Sequence, residues 1–312
     1  MEEISATLRV VIPIYLMIAV GYLAKRNRIF SGGTLKEINV GVFRVFLPML
    51  LFENMYTTRI DRVDISVVVF ALCSVLLIFG ICCLLVFRVI KEKSIAATIV
   101  QGMYRSNFAL LGIALTQMMY GINGTQTTGM LVAVIIPLYN VLAVILFEVT
   151  CGKKKTDVLG ILVGIIKNPL IIGTVAGLVF NLCEISIPDA VDATIISFGQ
   201  VATPLSLIVM GGSFEVSKAL SNKMALFLVS IVRLLAIPVV GTIVAVLFGY
   251  RQEELYGLFL MYATPTAVSS YAMAAVMGGD EGLAGEIVML TTVISMFTLG
   301  IGVYVLTRFG IV

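Results

Sequence analysis

Residues 103–112 read MYRSNFALLG, which sets Arg105 and Asn107 two apart in a largely apolar run from Ile95 to Leu115. A guanidinium offers five N–H donors in a planar fork, and a carboxamide adds two donors and an acceptor. Gathered in a dry place, such groups suit an anion, above all a carboxylate. The chain's own carboxylates do not answer Arg105 locally. Glu53, Glu148 and Glu215 stand toward the ends of apolar segments, and none lies within a helical turn of it. A second stretch, MYATPTAVSS at 261–270, brings Thr264, Pro265, Thr266, Ser269 and Ser270 to a similar depth in its own apolar run. Asn140, in VIIPLYNVLAVILFE, is a further polar side chain at mid-depth. With Ser106, these residues form the candidate substrate-binding set. There is no histidine, and Cys73, Cys82, Cys83, Cys151 and Cys183 lack metal-ligand spacing. Any proton-handling or metal site must then use carboxylates, lysine or tyrosine; no metal or cofactor is expected, and no nucleic-acid partner.

The chain that must position these groups has 312 residues, 60% hydrophobic and 12% charged, where soluble domains average roughly 45–50% and 25%. Apolar runs of about twenty residues recur throughout, each enough to span roughly 30 Å of hydrocarbon. The expected class is an all-α polytopic membrane protein. Its first residues, MEEISAT, are acidic, unlike the basic start of a cleaved signal, so no cleaved leader is expected.

Polar punctuation divides the apolar runs into ten expected crossings, about 7–24, 36–55, 64–88, 94–120, 127–150, 159–183, 190–212, 222–248, 253–277 and 283–307. Loops after the odd-numbered crossings hold Lys25, Arg26, Arg28, Lys36, Arg88, Lys91, Lys93, Lys153, Lys154, Lys155, Lys218 and Lys223. The other side holds Arg9, Arg59, Arg62, Arg251 and Arg308. Twelve against five places the first set in the cytoplasm and both termini outside the cell.

The two halves match. Pro13 pairs with Pro169, Gly21 with Gly177 and Pro48 with Pro204, all 156 residues apart. Farther on the offset becomes 158, and MYRSNFALLG falls over MYATPTAVSS; Met103, Tyr104, Ala109, Ala114, Met119, Gly121 and Gly124 are identical across it. A five-crossing repeat must enter the bilayer from opposite sides in its two copies, which predicts inverted repeats over 1–150 and 158–312. Pro265 removes a backbone donor and disfavours helix at Thr264. Interrupted helices at matching places in inverted halves point to a transport site at the bilayer midplane, because unwound backbone there must be buried in protein or face water. Their N-terminal ends would add positive potential. Pro13, Pro137 and Pro238 are expected to be kinks, Gly211 and Gly212 close-packing residues, and Arg233 either a structural counter-ion or a site group.

Several stretches together resemble the auxin efflux carrier family of bacteria and plants. They are YRSNFALLGIAL (104–115), YNVLAVILFE (139–148), NPLIIGTVAGLVFN (168–181), TPLSLIVMGG (203–212) and ATPTAVSSYAMAAVMGGDEGLAGEIV (263–288). The resemblance implies an elevator-type fold shared with bile-acid symporters. Its scaffold would come from 7–55 plus 159–212, and its transport domain from 64–150 plus 222–307. Broken helices 4 and 9 would cross at Arg105–Phe108 and Thr264–Thr266. It also implies a homodimer along the second and seventh crossings, and small carboxylates such as malate or malonate as cargo. Plant members pair proline with asparagine at the crossing; here Asn107 lacks the proline and Pro265 lacks the asparagine.

The leading function is secondary transport of an organic anion. A channel would need a continuous polar stripe. A membrane enzyme would need clustered catalytic groups, and the aspartates 61, 64, 157, 189, 192 and 280 are scattered. Coupling stays open among protons through Glu53, Glu148 or Glu215, Na+ held by carbonyls freed at the breaks, and uniport.

Overall fold

The computed structural model describes residues 2–57, 65–121, 126–152, 158–213 and 222–312. The lysine run at 153–155, Lys218, Glu215, Asp61, Asp64, Asp157, Arg59, Arg62 and Gly124 lie outside the described residues.

Among the described residues the regular structure is helical, with one isolated antiparallel bridge between Ser106 and Thr266. The helices are α1 (Glu2–Arg26), α2 (Gly32–Gly41), α3 (Leu47–Tyr56), α4 (Ile65–Val89), α5 (Lys93–Tyr104), α6 (Phe108–Tyr120), α7 (Gln126–Cys151) and α8 (Val158–Ile166). They continue with α9 (Pro169–Leu182), α10 (Asp189–Ser213), α11 (Lys223–Ile231), α12 (Ile237–Leu247), α13 (Gln252–Ala263), α14 (Ser269–Met277) and α15 (Glu281–Arg308). Among the described residues five continuous rods are long and apolar enough to cross a bilayer: α4, α7, α10, Lys223–Leu247 and α15. The chain is a multi-pass membrane protein.

Among the described residues, two π-helical turns join pieces into longer rods, Val42–Phe46 between α2 and α3, and Val232–Ala236 between α11 and α12. Leu47 donates to the Val42 carbonyl and Ile237 to that of Val232, five residues back in each case. A proline follows at once, Pro48 or Pro238. Proline has no N–H and crowds the carbonyl four residues back, so the hydrogen-bond ladder slips by one residue. Pro13 and Pro137 instead lie inside uninterrupted α-helices.

The sixth expected crossing, 159–183, is not continuous. Lys167 and Asn168 separate α8 from α9. The Asn168 side chain accepts from the Leu170 N–H at 3.0 Å, and Pro169 takes the first helical position, where its missing donor costs nothing.

The fourth and ninth segments are broken. At about 1.5 Å per residue, α5 and α6 reach only about 18 and 20 Å each and cross only together. The first break ends before Phe108, which is helical, while the second runs on to Val268. Both breaks are deep in the molecule. Every residue of 96–104 in α5 and of 255–263 in α13 is buried, whereas α4 leaves Leu76, Leu77, Leu84 and Leu85 exposed on a lipid-compatible face. Tyr104 and Tyr262, one of the matched identities, are anchored alike: the Tyr104 hydroxyl donates to the Tyr139 carbonyl at 3.1 Å and that of Tyr262 to Ser74 Oγ at 2.7 Å.

Around this centre, α1 packs along α10 and α3 along α9. Glycines set the closeness. A methyl group on Gly21 would collide with the Ile208 carbonyl, and one on Gly177 with the Phe52 carbonyl. Adding 156 to 21 gives 177, and subtracting 156 from 208 gives 52. One contact maps onto the other. Gly211 and Gly212, expected to allow close packing, abut Ile18 and Leu35.

Candidate functional site

The breaks meet where they were placed by sequence. Beyond the Ser106–Thr266 bridge, the Asn107 N–H donates to the Pro265 carbonyl at 2.7 Å, and Thr266 Oγ1 donates to the Gly102 carbonyl at 2.8 Å. The Thr266 N–H donates to Thr291 Oγ1 at 3.2 Å. Backbone groups freed by unwinding are therefore satisfied within the protein, as a dry interior demands.

Arg105 leaves the end of α5 and is only 4% exposed. Its Nη2 donates to Asn140 Oδ1 at 2.6 Å and to Ser269 Oγ at 2.8 Å, and its Nη1 contacts the Met273 sulfur. Every one of these partners is neutral. Among the described residues nothing accepts from its Nε, so the fork is incompletely used. Because a guanidinium only donates, the Arg105 contact fixes Asn140 with its oxygen toward the arginine. Asn140 Nδ2 then points elsewhere and is buried without an acceptor, as is Asn107 Nδ2.

These groups share a cavity of about 210 Å³. Arg105, Ser106, Asn107, Asn140 and Ser269 line it on the crossover side. Leu47, Leu50, Asn54, Leu170, Thr203 and Ser206 close it from α3, α9 and α10. Asn107 precedes the first turn of α6 and Val268 that of α14, and neither makes a side-chain cap. Two half-helix N-termini thus border the cavity with their positive ends.

Four of the expected site residues do not line this space. Thr264, Pro265 and Thr266 hold the crossover instead, and Ser270 is buried in the first turn of α14. The sequence reading missed Tyr139, whose hydroxyl accepts from Ser106 Oγ at 3.3 Å, and Met273. It also missed Leu47, Leu50, Thr203 and Ser206, although a signal was present. The Pro48–Pro204 match pairs Leu47 with Thr203 and Leu50 with Ser206 at the same 156-residue offset, and all four line the cavity.

Arg233 does not reach the cavity. It is 1% exposed, and its Nε and Nη2 donate to the Thr264 carbonyl at 2.9 and 2.7 Å. Nη2 also donates to the Met261 carbonyl at 3.1 Å, and Nη1 to those of Met103 and Tyr104 at 3.5 and 3.4 Å. Of the two roles expected for it, the geometry assigns the structural one.

Bilayer-length helices enclosing an interrupted pair beside a polar cavity are the build of a membrane transporter. The family described as membrane transport protein matches residues 7–158 and 158–302, and the chain belongs to that family, the auxin efflux carriers whose motifs it resembles. It is 24% identical over 284 residues to the uncharacterized transporter YfdV of Escherichia coli strain K12, covering 85% of this chain and 86% of that one. The same figures hold for the proteins of that name in Escherichia coli O157:H7 and Shigella flexneri.

Proposed function

We propose that the protein is a secondary carrier moving a small organic carboxylate across the cytoplasmic membrane by alternating access. One observation carries the reading: a single cavity is lined by Arg105, whose fork is incompletely used, together with Asn107 and Asn140, with no carboxylate among its described lining residues. An arginine near the bilayer centre costs at least ~2.5–3.5 kcal/mol, which calls for a compensating charge. A carboxylate supplies that charge and accepts from the guanidinium fork.

The ten crossings, inverted repeats and elevator movement belong to the same proposal. The equivalence of the Gly21–Ile208 and Gly177–Phe52 contacts under one offset supports two inverted copies. The cavity is walled by residues of the proposed scaffold (7–55 plus 159–212) and of the proposed transport domain (64–150 plus 222–307). Sliding one against the other would carry an anion bound at Arg105. Both termini lie outside in this reading. An impermeant thiol reagent that labels a cysteine at position 154, and none at position 2, in right-side-out vesicles would reverse the orientation. A homodimer along the second and seventh crossings completes the picture, and native mass spectrometry showing monomer alone in mild detergent would remove it.

The cavity also narrows the cargo. Among the described residues Arg105 is the one charged group lining it, and its far wall mixes leucines with Asn54, Thr203 and Ser206. A second carboxylate would be desolvated with no cation to pair with it, at a cost of several kcal/mol. A monocarboxylate with a short apolar or hydroxylated tail fits better than malate or malonate. Calorimetry with matched mono- and dicarboxylates, beside flux of labelled acid into proteoliposomes, tests both levels. Tighter dicarboxylate binding would correct the cargo alone, whereas no carboxylate binding or flux across the panel would remove the carrier reading.

A further inference from the structure

The C-terminal ends of α5 and α13 converge at the crossover. Each half-helix leaves its last carbonyls without intrahelical donors and carries negative potential there. Such ends, with unwound carbonyls beside them, are where carriers built on broken helices coordinate Na+. In this protein a side chain is already in that place. The Arg233 guanidinium spans both ends, facing the Met103 and Tyr104 carbonyls of α5 and the Met261 and Thr264 carbonyls at the end of α13. One contact from Nε and two from each terminal nitrogen engage all five N–H donors of the fork. The π turn Val232–Ala236 sets Arg233 on the buried side of its rod, where it is among the largest fully buried side chains.

We propose that Arg233 is a tethered cation that replaces a bound Na+ at the crossover, so that docking of the two half-helices and binding of the carboxylate are independent of free Na+. Its charge neutralises both C-terminal ends as an ion would. Unlike an ion, it cannot dissociate and cannot draw on a Na+ gradient. The carboxylate part rests on the carrier reading above; the helix-docking part does not.

Two measurements test this. Melting of the purified protein in NaCl and in choline chloride of equal ionic strength needs no substrate. The wild type should melt alike in both salts, whereas Arg233→Met should melt much lower in choline and regain stability in NaCl. Recovery of folded Arg233→Lys where Arg233→Met cannot be isolated supports the same conclusion, because lysine keeps the charge. An Arg233→Met protein as stable as wild type in choline would overturn the proposal. Second, calorimetric affinity of the wild type for a monocarboxylate should agree within about twofold between the two salts, and a loss of about tenfold or more in choline would overturn it. Absence of carboxylate binding in both salts would count against the carrier reading alone and leave the melting result to decide the role of Arg233.

Discussion

Arg105 and Arg233 are both buried and lie on either side of one helix crossing, yet their surroundings differ in kind. Arg233 faces main-chain carbonyls at the ends of two helices, and its fork is filled. Arg105 faces a carboxamide, a hydroxyl and a thioether, and keeps donors over beside an open cavity. Position follows from chain direction. The side where the first half-helices end collects carbonyls and needs a cation, which Arg233 provides. The side where the second half-helices begin collects N–H groups, and there a further cation is an electrostatic burden until an anion joins it. One arginine completes the fold, and the other is the anion-binding group of the proposed function.

That contrast breaks most readily at Arg233. Arg233→Met should lower stability by about 3–5 kcal/mol, because a buried network loses its charged member. Thermal unfolding followed by tryptophan-free probes such as a thiol-reactive dye would register it, and a shift no larger than that of Arg105→Gln would erase the distinction. Next in size, Arg105→Gln should weaken carboxylate affinity by about 2–5 kcal/mol, roughly 30- to several-thousand-fold, with little change in melting without ligand. Unchanged affinity in a stable Arg105→Gln protein, measured by calorimetry, would sink the anion site. Arg105→Lys should restore part of that affinity, since an ammonium lacks the planar fork that meets a carboxylate twice; full restoration would reduce Arg105 to a point charge. Smallest of all, Asn107→Ala should cost about 0.5–1.5 kcal/mol in the same titration, the loss of one neutral partner. A loss exceeding that of Arg105→Gln would invert the roles assigned to the two side chains.

Much of the architecture was legible because membrane segments declare their length. The expected 190–212 and 253–277 end within a residue of where α10 starts and stops and where α13 starts and α14 stops. Both central breaks were legible too, one from Pro265 and the other from Arg105 and Asn107 in an apolar run. The break at Lys167 and Asn168 was overlooked, since apolarity continues through Pro169 and only the asparagine–proline pair marks a helix start. Which break residues face the cavity was not legible. Thr264 and Thr266 are as polar in sequence as Ser106 and Asn107, but at the crossing the Thr264 and Pro265 carbonyls and the Thr266 hydroxyl are taken up by Arg233, Asn107 and Gly102. The role of Arg233 depends on carbonyls of residues 103, 104, 261 and 264, a long-range meeting with no local pattern.

The glycine contacts have a consequence for how the chain is made. Gly21 meets Ile208 and Gly177 meets Phe52, so the partner of α1 lies 187 residues downstream (208 less 21). At about 5–20 residues per second of synthesis, α1 exists for roughly ten to forty seconds before α10 emerges. Through that interval the notch at Gly21 is without the helix that fills it in the folded chain. A ribosome-bound chain halted after residue 150 should therefore leave Gly21 accessible to crosslinking from a neighbouring cysteine position, and release of α10 should abolish that accessibility. The first helix is thus not finished when it is made; its packing face stays open until α10 closes it.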